Sequence, residues 1–185
     1  MAAGQLRVAF LDEVGFSPSL PVTWSWALPG RRPFIPYENP QGRRLNVLSA
    51  LLLEPDRTSF WWMQSYCSLT SPDLLYFLEA LPPDDLPLVV VLDNASIHRS
   101  HIIRDARPAL KETGITLFYL PPYSSAKLND IESYFRALKY YDLPERTYLT
   151  WPEISDAVNA AFARIDDRLL ARPPLRSQHE LRPAA

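Results

Sequence analysis

Leu86-Pro87-Leu88-Val89-Val90-Val91-Leu92-Asp93-Asn94 is the stretch whose reading decides the fold. Its nearly unbroken run of apolar, mostly branched side chains has no polar alternation, so it predicts a strand covered on both faces, as at the centre of a layered α/β sheet. The run stops at Asp93-Asn94. Upstream, Val8 to Leu11 predicts a first strand ending in Asp12-Glu13, Leu45 to Leu53 a second and Thr58 to Met63 a third. Between the first two, Pro18 to Pro40 reads as one or two strands joined by turns at Pro29-Gly30 and Asn39-Pro40. Ser71-Pro72 predicts a helix start, with Leu74, Leu75, Leu78 and Leu81 on one face and Pro82-Pro83 as the stop.

Downstream, a helix is expected from about Ser100 to Glu112, kinked or interrupted at Pro108 and closed by Gly114. Ile115 to Leu120 predicts another strand. A helix then runs over Leu128 to Tyr141, with Ile131, Phe135 and Leu138 inward. Thr150-Trp151-Pro152-Glu153 is a capping-box start for a last helix burying Ile154, Val158, Phe162 and Ile165. Strands first, then alternating helix and strand, give a mixed β-sheet flanked by α-helices.

The 185 residues suit one domain. No apolar stretch approaches the roughly 20 residues of a membrane helix, and no basic-then-apolar leader follows Met1. Cys67 is the only cysteine, which excludes an internal disulfide and suits a reducing cytoplasm. The net charge of −2 speaks at first against nucleic acid as a partner. It is uneven: residues 1–93 carry 6 basic and 10 acidic side chains, residues 94–185 carry 13 and 11.

Three acidic residues stand out by position. Asp12 ends the first predicted strand, Asp93 ends the central one, and Glu132 falls in the first turn of the helix after the next strand. Functional groups of open α/β sheets gather at the carboxyl ends of strands. Carboxylates brought together there repel unless protonated or neutralised by a cation. Oxygen donors without cysteine favour Mg²⁺ or Mn²⁺, and two such ions roughly 3.5–4 Å apart can clamp an in-line phosphoryl displacement.

Asp93-Asn94-Ala95-Ser96-Ile97-His98 resembles the D-N-x-x-x-H element of DDE-type transposases of the mariner-like insertion-sequence family. Tyr119-Leu120-Pro121-Pro122-Tyr123-Ser124 followed by Leu128-Asn129-Asp130-Ile131-Glu132 is similar to its L-P-P-Y-S-P-x-L-N-x-I-E element. Phe10 to Phe16 resembles its F-x-D-E-x-G-F, and Trp26 to Gly30 its W-A-x-x-G. The resemblance covers residues 7 to 165 and departs in the longer Ser125-Ala126-Lys127 loop, at Asp130 in place of proline and at Phe135 in place of tryptophan.

The resemblance implies an RNase H-like domain over residues 1–170, with 171–185 as a tail. It implies Asp12, Asp93 and Glu132 as catalytic metal ligands for Mg²⁺ or Mn²⁺, two ions in all, with Asn94, His98 and Lys139 as accessory residues. The implied reaction is cleavage of transposon-end DNA and transfer of the freed 3′-OH strand to target DNA. Only about ten residues precede Asp12, so an N-terminal helix-turn-helix region is expected to be absent. The partners then expected are DNA, a separate DNA-binding transposase segment and a second copy in a homodimer, with no membrane, in a bacterial cytoplasm and at the nucleoid. The alternatives are a catalytically inactive remnant or regulatory partner, or another RNase H-like nuclease.

Blander readings stand beside these. Asn129 and Glu132 form a capping-box-like pair that could simply start a helix. Glu13 is expected to face away from Asp12 on the pleat. His98 and His101 form an H-x-x-H pair with no supporting zinc ligands, so His98 is read as orienting a carboxylate or water and His101 as surface. Arg136 and Lys139 fall at i+4 and i+7 from Glu132, either reaching a phosphate or forming a solvated face. Trp24, Trp26, Trp61 and Trp62 read as core or interface, and Arg43-Arg44 as a DNA contact or an idle surface pair.

Overall fold

Five strands form one sheet in the order β3-β2-β1-β4-β5. They are β1 (Arg7–Phe16), β2 (Leu45–Leu53), β3 (Thr58–Ser65), β4 (Leu88–Leu92) and β5 (Ile115–Tyr119). The computed structural model describes residues 6–18, 28–31, 44–121, 128–143 and 147–173. The strands expected between Pro18 and Pro40, Trp24, Trp26, Arg43, the 125–127 loop and the tail from 174 lie outside the described residues. β1, β2 and β3 pair antiparallel, whereas β4 and β5 run parallel to β1.

The Val-rich run is strand β4, between β1 and β5, and its apolar side chains divide between two cores. Leu88, Val90 and Leu92 join Ala9, Leu11, Leu48, Ala50 and Leu52 on one face. That face is covered by α1 (Ser71–Glu79) and α2 (His101–Glu112) through Leu74, Phe77, Leu78, Ile103 and Leu110. Val91 turns to the other face with Phe10, Val14, Phe16, Val47 and Leu51. There α3 (Ile131–Ala137) and α4 (Trp151–Leu170) bring Ile131, Phe135, Ile154, Val158, Phe162 and Ile165. Each such side chain stabilises by about 1.5–3 kcal/mol when fully buried.

Two boundaries differ from expectation in ways that shape the site. β1 does not end at Asp12-Glu13. It continues to Phe16, because β2 pairs with it as far as Phe16↔Leu45 while β4 stops at Leu92. The helix expected from Leu128 begins as α3 at Ile131 and changes at Leu138 into a π-helical turn through Asp142, closed by Leu143 N–H to Leu138 O at 3.3 Å. Arg164 and Arg168 of α4 hold this turn, donating to Asp142 O and Asp142 Oδ1, each at 2.6 Å.

Of the remaining helix predictions, some hold and some do not. Thr150 and Glu153 form the capping box of α4. α2 runs unbroken through Pro108 from its Ser100 cap, so the expected interruption does not occur. Gly114 follows with φ 84°, the left-handed conformation glycine adopts without strain. The cap of α1 is Thr70, whose N–H donates to Asp73 Oδ2 at 2.8 Å. Ser71 instead donates to Ile97 O at 3.0 Å, tying α1 to the segment after β4.

Candidate active site

The parallel β1–β4 ladder ends at Phe10↔Val91, and Asp12 and Asp93 each follow two residues on, near enough for the charge of Asp93 to bear on Asp12. Asp12 is half-buried inside a strand. Its Oδ1 accepts the Glu13 N–H at 2.8 Å and its Oδ2 accepts Asn129 Nδ2 at 3.3 Å. Burial raises its pKa to about 7. The charges of Glu13 and Asp93 add to the rise, against the Glu13 N–H and the nearby His98. An acid so placed is poised to lose its proton when a cation arrives.

Asp93 begins a tight turn in which its Oδ1 accepts both Ala95 N–H at 2.8 Å and a bond from His98 Nδ1 at 2.7 Å. His98 is fully buried. Its Nε2 stands 3.2 Å from Glu13 Oε1, close enough for an ion pair but off the line of a hydrogen bond. Burial works against a charged imidazole, but Glu13 and Asp93 outweigh it and hold the pKa above the ordinary histidine value. Tyr119 fixes the same loop by donating its hydroxyl to His98 O at 2.7 Å.

The expectation that Glu13 faces away from Asp12 agrees with the β1 alternation, in which Phe10, Val14 and Phe16 join one core and Ala9 and Leu11 the other. What sequence reasoning missed is its use, as the second carboxylate gripping His98. Asn94 holds the loop in place: its Nδ2 donates to Leu120 O at 2.6 Å and its Oδ1 accepts from Arg99 at 3.3 Å. His101 is exposed on the first turn of α2, whereas His98 is fully enclosed.

Glu132 sits half-buried in the first turn of α3, and its N–H donates to Asn129 O at 3.2 Å. The capping-box reading of Asn129 does not hold, because its side chain reaches Asp12 and the N-cap of α3 is Asp130. Among the described residues no three His, Cys, Asp or Glu side chains are arranged to hold a metal ion. The structure thus joins Asp12, Asp93, His98 and Glu13 and leaves Glu132 on the adjoining helix.

Lys139 lies past the site, its Nζ 6.0 Å from the Phe16 ring centre, and burial together with the charge of Arg44 lowers its pKa. Arg44 lies over Gly15, where a Cβ would come within 1.4 Å of its Nε. Arg136 is exposed on α3. Trp62 packs on Phe162 with ring centres 5.4 Å apart and donates to Asn159 at 3.0 Å, so it belongs to the α4 interface, while Trp61 is exposed.

The donors around Asp12 suit a hard cation: carboxylates and neutral oxygens, with the Asn129 Oδ1 and Ser49 Oγ buried and unmatched. Ser49 is paired directly across from Asp12 on β2. It is the lone polar residue in Val47 to Leu53, a signal the sequence did offer.

The same RNase H-like sheet recurs in solved structures. The Mos1 mariner paired-end complex with Mn matches at 16% identity over 88% of this chain and 50% of that one, with a TM-score of 0.60. The Mos1 strand transfer complex matches at 14% over 91% and 50%, TM-score 0.56. The simian T-cell lymphotropic virus intasome in complex with PP2A regulatory subunit B56 gamma matches at 16% over 98% and 59%, TM-score 0.51. These likenesses are of fold, and the chain spans about half the length of the Mos1 chains. No curated protein matches it in sequence. The sequence pattern of the DDE superfamily endonucleases matches residues 7–154. Carrying that pattern from its first strand into its last helix, the chain belongs to the DDE superfamily endonucleases.

Proposed function

We propose that this chain is the catalytic domain of a DDE transposase, cleaving transposon-end DNA and joining the freed 3′-OH strand to target DNA. The observation that carries the reading is the pair Asp12 and Asp93, each two residues past the last β1–β4 ladder pair, with Asp12 pushed up to about 7 by burial and by the charges of Glu13 and Asp93. Asp12, Asp93 and Glu132 would hold Mg²⁺ or Mn²⁺, as two ions. Such ions, when bound, polarise the phosphodiester and activate water or the 3′-OH for in-line attack.

The residues of the chain position this chemistry. Asn129 steadies Asp12, while His98, itself braced by Glu13, fixes Asp93. Charge neutralisation and alignment suffice for phosphoryl transfer, so no covalent protein–DNA intermediate is required. The net negative charge then becomes intelligible, since part of it serves the cation. The motif order further suggests a bacterial insertion-sequence element acting on cytoplasmic DNA, a homodimer, and a separate segment that reads the transposon end. No helix among the described residues is long and apolar enough to cross a membrane.

Asp93→Asn should reduce Mg²⁺-dependent nicking of plasmid DNA to background with an unchanged far-UV spectrum; nicking equal to the parent overturns the assignment. One observation favours a second reading, a silent remnant or regulatory partner: Glu132 completes no three-carboxylate group among the described residues. Calorimetry with Mn²⁺ separates the two, since a remnant shows no carboxylate-dependent binding.

A further inference from the structure

Two buried oxygens flank Asp12 without a hydrogen-bond partner, Ser49 Oγ and Asn129 Oδ1. Ser49 is fully enclosed and Asn129 is 4% exposed. Ser49 faces Asp12 across the antiparallel ladder, where directly opposed side chains share a face about 5 Å apart. Asn129 comes from the chain leading into α3, and its Nδ2 donates to Asp12 Oδ2 at 3.3 Å. Buried polar atoms are nearly always matched, so two unmatched oxygens beside one carboxylate mark a place for a polar ligand.

Asn129 also has a second attachment. Its backbone carbonyl accepts the Glu132 N–H at 3.2 Å, so a single residue links Asp12 to the first turn of α3. The two ends of its amide are chemically different. The NH₂ end is committed to the Asp12 carboxylate, and the oxygen end remains to accept from water or to face a hard cation.

We propose that Asn129 is a positioning residue of the cation site, orienting Asp12 through Nδ2 and meeting the hydration shell of the bound divalent ion with Oδ1. This rests on the reading of the chain as a divalent-metal DDE enzyme. The same link sets the start of α3, and hence Glu132, relative to Asp12.

The test is calorimetric titration of the full 185-residue chain with MnCl₂, alongside thermal unfolding in EDTA, for wild type, Asp12→Asn, Asn129→Leu and Asn129→Ala. Residues that orient metal ligands are worth about 10–100-fold in metal affinity. Asn129→Leu, close in volume and unable to hydrogen-bond, should therefore bind Mn²⁺ about tenfold more weakly or worse while still unfolding cooperatively. Asn129→Ala removes both ends of the amide in a smaller side chain and should lose affinity to a similar degree. Wild-type affinity in Asn129→Leu overturns the inference and leaves the enzyme reading intact. If the leucine variant fails to fold, Asn129→Ala carries the test, and wild-type affinity there overturns the inference. Wild type that binds no Mn²⁺, or Asp12→Asn that binds it equally well, overturns both.

Discussion

Replacing Asp12 by asparagine should stabilise the metal-free protein at alkaline pH while removing its metal response. The Asp12 carboxyl titrates near 7 in the fold against 3.8 for a free side chain, chiefly because it is buried and secondarily because Glu13 and Asp93 stand beside it. A folded pKa above the unfolded one means that the folded state keeps the proton longer. The stability tied to this group is therefore complete below pH 4 and is lost as pH rises through 7. About 3 pKa units at about 1.4 kcal/mol each amount to about 4 kcal/mol lost by pH 8. Asparagine keeps the shape of the protonated acid and does not titrate. In urea unfolding with EDTA, the variant should exceed wild type by about 4 kcal/mol at pH 8 and by less than about 2 kcal/mol at pH 5. Added Mn²⁺ should raise wild type at pH 8 and leave the variant unchanged. A stability difference that is flat in pH, or that shrinks as pH rises, refutes the reasoning.

Two further predictions concern charges at opposite ends of the sheet. His98→Gln removes the cation enclosed between Asp93 and Glu13 and should cost about 3 kcal/mol in urea unfolding. Because the histidine pKa is raised, that cost should be largest at acid pH and shrink as pH rises through the raised pKa and the imidazole loses its proton. At the other end, buried Arg7 pairs with Glu54 at 3.4 Å and donates to Pro82 O at 2.8 Å. Arg7→Met should likewise destabilise by about 3 kcal/mol, yet leave the Mn²⁺ titration as in wild type.

Much of this organisation was legible because local signals and tertiary structure agree. The Leu86 to Leu92 run is apolar at every position because β4 has a core on each face. Thr150 and Glu153 announce a helix that the inward side chains of α4 then anchor to β3. There Asp166 Oδ1 accepts the Phe60 N–H at 2.6 Å and Asn159 accepts from Trp62. The failures come where a distant partner decides. β1 outlasts Asp12 because β2 continues to pair with it after β4 has ended. The π-helical turn at Leu138 is held by arginines more than twenty residues away, which no local pattern displays. Asn129 carries the residue signature of a cap, but the helix starts after it and frees its side chain for Asp12, far away in sequence. Glu13 was correctly placed on the opposite side of the pleat, and its partner there, His98, is brought by a turn after β4.

The central claim is that Asp12 and Asp93 hold a divalent cation together. Anomalous diffraction from a crystal soaked in MnCl₂ tests it most directly. The account predicts an anomalous peak about 2.1 Å from carboxylate oxygens of both residues, near the Asn129 amide, in wild type and not in Asp12→Asn. A wild-type map without a peak there, or with manganese bound only elsewhere, contradicts it.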